Sequence, residues 1–226
     1  GEDDNPLDTV VADAYLAGLV SQRDDLQAQM DEYDHRVHPG RKGRWMPTYS
    51  GIRFWPEDPR PEDINVKDIA HSLAGINRFN RHTKDNYTVA QHSVMGSYII
   101  EESGALAFLM HDAPECYLGD VISPIKRLVR ELYEPIEDTV MDAVASRFGF
   151  VMDAETRAAV KRVDNIMLAT EVRDLTTTGV IYGPMEELPM EAKISACWTS
   201  ETAEEEFLRR FKELTRARAT QSRQAV

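Results

Sequence analysis

The stretch A-F-L-M-H-D-A-P-E-C-Y-L-G-D, from Ala107 to Asp120, limits what this chain can fold into more than any other. It sets His111 and Asp112 side by side behind an apolar run, with Glu115 three residues later and Asp120 five after that. Adjacent His and Asp are a poor choice inside an apolar helix, because each needs a polar partner there. A divalent metal ion satisfies both. The stretch therefore reads as the centre of a metal-dependent hydrolase, and the rest of the chain can be tested against it.

Of the 226 residues, 42% are apolar and 29% charged, as in an ordinary globular chain with room for one sizeable core. No apolar run approaches the roughly 20 residues that span a bilayer, which predicts no membrane association. Cys116 and Cys197 lie too far apart to suggest a disulfide framework. With no visible signal peptide, a cytoplasmic setting is expected. The net charge of −13 is uneven: residues 1–34 hold ten acidic residues against Arg23 alone, a net of −9. The remainder is nearly balanced, which excludes a broad nucleic-acid-binding surface. A small anionic substrate needs only a local cluster of cations and a metal.

Two segments follow from this: residues 1–45, an acidic amphipathic helix (Asn5 to Asp34) and a basic linker, and residues 46–226, the catalytic body. The first helix reads as a surface helix or an oligomerisation arm, with Leu16, Leu19, Val20, Leu26, Met30 and Tyr33 at helical spacing. Tyr49 to Trp55 predicts a short hairpin around Ser50-Gly51. The periodicity then predicts helices from Asp63 toward Phe79, Thr88–Ser103, Ala105–Leu118, Pro124–Phe148, Asp153–Thr176 and Thr202–Ala219, with a loop over 179–189. Pro135 should kink or split its helix. In that helix Leu128, Leu132, Ile136, Val140 and Val144 read as buried. The expected class is all-α, a helical bundle with one hairpin near residue 50 and an extra N-terminal helix.

Three helices present polar residues on otherwise apolar faces: His92, then His111 with Asp112, then Asp164. Taken singly, an inward His or Asp is more often a hydrogen-bonded core residue or a cap. Two imidazoles and two carboxylates converging in one core would cost several kcal/mol, on the order of what unpaired buried charge costs, unless paired or metal-bound. Mixed N/O ligands suit Mn, Fe, Co, Ni or Zn better than Ca.

This order of His, His-Asp and Asp on successive helices resembles the HD-domain phosphohydrolases. The likeness covers about Thr48 to Leu214 and rests on D-I-A-H-S-L, R-F-N-R-H-T, V-A-Q-H-S-V, H-D-A-P-E-C-Y-L-G-D-V-I-S-P-I-K-R and V-D-N-I-M-L-A-T-E-V-R-D-L. It is greatest to the small bacterial 5′-deoxynucleotidases and to phage relatives, some of which are dATP triphosphohydrolases. The resemblance implies an HD-type bundle and one divalent ion (Mn, Co, Zn, Ni or Fe, with Mg also compatible) held by His92, His111, Asp112 and Asp164. Metal-activated water would attack phosphorus. Glu115 would orient or deprotonate that water, or protonate the leaving oxygen.

By the same resemblance Arg78 and Lys126 would bind phosphate, and Phe79 stands where the monophosphatases tend to carry Trp. Asp120 would accept from the sugar 3′-hydroxyl, and His82 and His71 would contact phosphate or base. The implied function is metal-dependent hydrolysis of deoxynucleotides, as a dATP (dNTP) triphosphohydrolase or a dNMP 5′-nucleotidase. Extra cations at Arg81, Lys84 or Arg41 to Arg44 would favour the triphosphate. The alternative is a catalytically inactive, metal-containing module for nucleotide sensing or protein interaction. Homo-oligomers are expected by resemblance, as is the host cytoplasm if the chain is phage-encoded.

Overall fold

The computed structural model describes residues 6–179 and 186–224. It is nearly all helix, as expected: α1 (Pro6–Val37), α2 (Val66–Gly75), α3 (Val89–Gly96), α4 (Ala105–Met110), α5 (Glu115–Leu118), α6 (Ser123–Leu128), α7 (Arg130–Phe148), α8 (Ala154–Leu175) and α9 (Ser200–Gln224). Two short strands, β1 (Met46–Pro47) and β2 (Arg53–Phe54), pair antiparallel with Met46 opposite Phe54. Gly51 takes the positive φ that their turn requires, 81°. The chain divides into two units, one ending at Arg44 and the other starting at Trp45.

The first unit is α1 and the segment after it. Leu16, Leu19, Val20, Leu26, Met30 and Tyr33 all remain exposed on it. No helix among the described residues is long and apolar enough to cross a membrane.

In the second unit α9 lies across α2, α3 and α4, and α8 packs on α3 and α4. Phe54, Leu73, Phe108, Leu109, Met110, Met167 and Phe207 are fully buried between them. Asn65, Thr88 and Asp153 cap α2, α3 and α8 by accepting from Lys67, Gln91 and Thr156 amides. Asp68, buried on α2, accepts from the Ser50 amide (2.6 Å) and hydroxyl (2.8 Å), which ties the hairpin to the core. Arg210 of α9 reaches the end of α3, donating to Ser97 Oγ at 3.0 Å and Ser97 O at 2.9 Å.

Several helices are shorter than their periodicity predicts, each for a local reason. The expected run from Asp63 to Phe79 divides into a 3-10 turn (Pro61–Asp63), α2, and a second 3-10 turn (Arg78–Arg81). In that second turn Phe79, Asn80 and Arg81 have φ of 58°, 48° and 67°. The helix from Thr88 ends at Gly96 instead of Ser103, and Ile99 beyond it is exposed. The Ala105–Leu118 helix breaks between Met110 and Glu115, because Pro114 has no N–H to continue it. The Pro124–Phe148 run breaks at Val129, while Pro135 sits inside α7. Of its predicted core residues, Val140 and Val144 are buried but Leu128, Leu132 and Ile136 are exposed.

Cys116 gives a direct test of this packing. Its Sγ donates to Asp68 O at 3.4 Å, and burial pushes the thiol up to about 12. At pH 8 only about one molecule in 10⁴ then carries that thiolate, the reactive form. Iodoacetamide on the folded protein should modify Cys197 first and reach Cys116 only after urea is added, as peptide mass spectrometry would show. Equal labelling of both in buffer would contradict the packing.

Candidate metal centre

His92, His111 and Asp112 form a group that could hold a metal ion, with one ligand atom from each lying within 4.8 Å of the others. α3 supplies His92, which is completely buried. The turn after α4 supplies the other two. The two rings are held from behind. His92 Nδ1 lies 2.6 Å from Glu171 Oε1, and His111 Nδ1 lies 2.6 Å from Phe108 O. A carbonyl only accepts, so the His111 proton sits on Nδ1; a carboxylate places the His92 proton the same way. Burial lowers the His111 pKa, with Asp112 acting against it. In their neutral forms both rings then present an Nε2 lone pair, and these two atoms lie 3.4 Å apart.

Asp112 completes the group, with Oδ1 3.2 Å from His111 Nε2 and Oδ2 3.7 Å from His92 Nε2. Its Oδ2 is buried without a hydrogen-bond partner. Two lone pairs facing each other beside a carboxylate oxygen that accepts no hydrogen bond suit a shared cation. Asp164 of α8 also approaches, with Oδ1 3.5 Å from His92 Nε2 and Oδ2 accepting from Lys161 at 3.1 Å. Although burial raises its pKa, the His92 ring, then Arg78, the His111 ring and Lys161 outweigh it, so Asp164 is held below the usual carboxylate range.

Arg78 enters from the left-handed turn. Its Nε donates to Glu171 Oε2 at 3.0 Å, while its two terminal nitrogens lie 3.5 Å from Asp112 Oδ2 and 3.8 Å from Asp164 Oδ1. The three carboxylates outweigh its burial and keep it charged.

A cavity of about 500 Å³ opens beside this group. It is lined by eight of the residues singled out in the sequence: Arg78, Phe79, His82, Asp112, Glu115, Asp120, Lys126 and Asp164. Lys126 is paired with Glu137 at 2.6 Å. Burial, then Asp112 and Asp120, push the Glu115 carboxyl well up, and its Oε2 is buried with no partner. Burial also raises Asp120. A second cavity, about 570 Å³ and lined by Ile99, Arg162 and Val163 among others, includes none of the candidate residues.

His71 is not brought to this cavity. On α2 it faces α9, with Nδ1 2.9 Å from Glu204 Oε2 and its ring stacked on Tyr49 at 3.7 Å. Arg81 and Lys84, considered as extra phosphate cations, instead donate to the carbonyls of Thr83 and Asp174. The added cation is Lys161, which lines the cavity three residues before Asp164 on the same face of α8. Glu171, two turns after Asp164, likewise faces the centre. Its spacing was legible, but its partners were not.

The fold and the site thus define an all-α protein with a His–His–Asp group able to hold a metal ion. No family model matches the chain. It is 37% identical over 143 residues to the uncharacterized protein YfdR of Escherichia coli K12, a match covering 63% of this chain and 79% of YfdR. It is also 37% identical over 145 residues to an uncharacterized protein of Rhodobacter capsulatus, covering 59% of this chain and 74% of that one. The chain belongs to the family of these two proteins.

Proposed function

We propose that the chain is a metal-dependent phosphohydrolase of deoxynucleotides, of the HD type that its sequence resembles. The observation that supports the reading is the approach of the two imidazole Nε2 atoms to 3.4 Å beside Asp112, whose Oδ2 accepts no hydrogen bond, next to a cavity lined by Arg78, Lys126 and Lys161. The donor set fits one divalent ion, held by His92, His111 and Asp112 with Asp164 as fourth ligand. Such an ion lowers the pKa of bound water and so supplies a nucleophile near neutral pH.

The remaining roles belong to the chain's own side chains. The terminal nitrogens of Arg78 bind phosphoryl oxygens in the forked geometry that a guanidinium favours. Lys126 exchanges Glu137 for a phosphate, and Lys161 adds a third cation. Burial, then Asp112 and Asp120, push the Glu115 carboxyl well above its ordinary range. This supports its donating to the leaving oxygen, one of the two directions open to it. Asp120 faces the sugar from the same wall, and Phe79 packs against the nucleoside.

The presence of Lys161 favours the triphosphate branch. There, water cleaves the phosphoester bond at the 5′ carbon's oxygen, releasing deoxynucleoside and triphosphate. In the monophosphate branch the products are deoxynucleoside and inorganic phosphate. Anion-exchange analysis of reactions with dNMPs and dNTPs, each with Mn, Co, Mg or Zn, decides. Triphosphate from dATP is the expected product. Inorganic phosphate from a dNMP as the main product would select the other branch, and no turnover with any pair would remove the phosphohydrolase reading.

A further inference from the structure

We infer that Glu171 is a positioning residue that sets one metal ligand and one phosphate-binding arginine at the same time. It rests on the reading of His92 as a ligand and Arg78 as a phosphate contact. Glu171 is completely buried on α8. Its Oε1 lies 2.6 Å from His92 Nδ1, and its Oε2 accepts from Arg78 Nε at 3.0 Å. Tyr87, also fully buried, lies in its field: burial first and the Glu171 carboxylate second keep that hydroxyl neutral. A carboxylate enclosed this way is tolerated only because both oxygens are paired.

The consequences differ at the two oxygens. At Oε1 the carboxylate draws the His92 proton onto Nδ1, so that Nε2 is left as the ligating atom. Outer partners of this kind fix ring orientation and raise ligand basicity. At Oε2 it occupies the Nε–H of Arg78 and so leaves the terminal nitrogens directed toward Asp112, Asp164 and the cavity. Any movement of Glu171 shifts the ion's ligand and the substrate's anchor together. No separate contact between His92 and Arg78 is needed to couple them.

Glu171→Gln weakens both roles, because a neutral amide no longer raises the basicity of His92 or holds the Arg78 guanidinium. The amide oxygen can still accept from His92, but the amide nitrogen cannot accept from Arg78. The expected result is a folded protein, by circular dichroism, whose Kd for Co²⁺ alone is weaker by about 10–100-fold. The KM for the nucleotide should also rise, because Arg78 loses its tether. Long-range ¹H–¹⁵N spectra of the metal-free wild type should show the His92 proton on Nδ1, a readout that needs neither ion nor substrate. If Glu171→Gln fails to fold, Glu171→Asp, one methylene shorter, should show the same loss of Co²⁺ affinity.

A His92 proton on Nε2 in the wild type would overturn the inference. So would an unchanged Co²⁺ Kd in whichever variant folds. If the wild type binds no Co²⁺ yet shows the Nδ1 tautomer, and Glu171→Gln alters it, the metal reading fails while the positioning role stands.

Discussion

Asp112→Ala should abolish metal binding and nucleotide hydrolysis together, leaving the fold intact. Among the described residues, Asp112 is the one carboxylate paired with both Nε2 atoms, at 3.2 Å from His111 and 3.7 Å from His92. Changes behind a ligand already cost about 10–100-fold in affinity, and removing the ligand itself should cost more. The stability signature is distinctive. An ion that binds only the folded chain raises its melting temperature. Wild-type protein should therefore melt higher with added MnCl₂ than with EDTA, and the variant should melt equally in both. In EDTA the variant's baseline is set by two opposing effects, loss of the 3.5 Å pair with Arg78 and relief of the charge that acts against Glu115 and Asp120. Metal content by mass spectrometry and thermal shift in both buffers measure this. Wild-type turnover in Asp112→Ala would show that the ligand set is wrong.

The largest stability effect is expected at Gly96, where even one added methyl has no space. A Cβ there would lie 2.0 Å from Phe108 Cε1 and 2.3 Å from Cζ. Overpacking of a tight core costs about 1–3 kcal/mol, occasionally more. The surroundings here place Gly96→Ala at the upper end, since Phe108 is fully buried and cannot turn away cheaply. The Phe108 ring also lies 4.4 Å from the His111 ring and 5.7 Å from that of His92, centroid to centroid. Its displacement should therefore weaken metal binding as well as stability. Urea denaturation of Gly96→Ala and of Gly96→Ala with Phe108→Leu separates the causes. The double variant should recover part of the loss, because the smaller side chain vacates the contested space. An unfolding midpoint for Gly96→Ala equal to the wild type would contradict the close packing.

How much of this was legible in the sequence depended on whether a feature is local or made by distant partners. His92 and Asp164 were legible as polar residues at inward positions of helices, and His111 and Asp112 as an adjacent polar pair that closes the apolar run Ala105–Met110. The all-α class and the caps Thr88 and Asp153 were legible for the same local reason. The break at Pro114 was readable in principle, since proline lacks the N–H a helix needs, but the apolar spacing around it outweighed that signal. The exposure of Leu128, Leu132 and Ile136 was not readable, because periodicity reports which residues share a face and not whether anything covers it. Glu171 shows the same limit. Its position on the Asp164 face was plain, but its role comes from a histidine 79 residues earlier in the chain. Arg81 and Lys84 were plausible phosphate cations until backbone carbonyls within reach took them.

The spread of the centre over α3, the turn after α4, and α8 has a consequence for the protein during its own synthesis. The ribosome makes His92, His111 and Asp112 first, and Asp164 only 52 residues after Asp112. At ~5–20 residues per second this is a delay of about 3–10 s. Glu171, which orients His92, arrives later still, and α9, which lies across α2, α3 and α4, later again. On the proposed reading, a nascent chain therefore carries three of the four ligands with the His92 ring not yet aligned, and firm ion binding awaits the docking of α8. On that reading, assembly of the metal centre follows the order of translation itself.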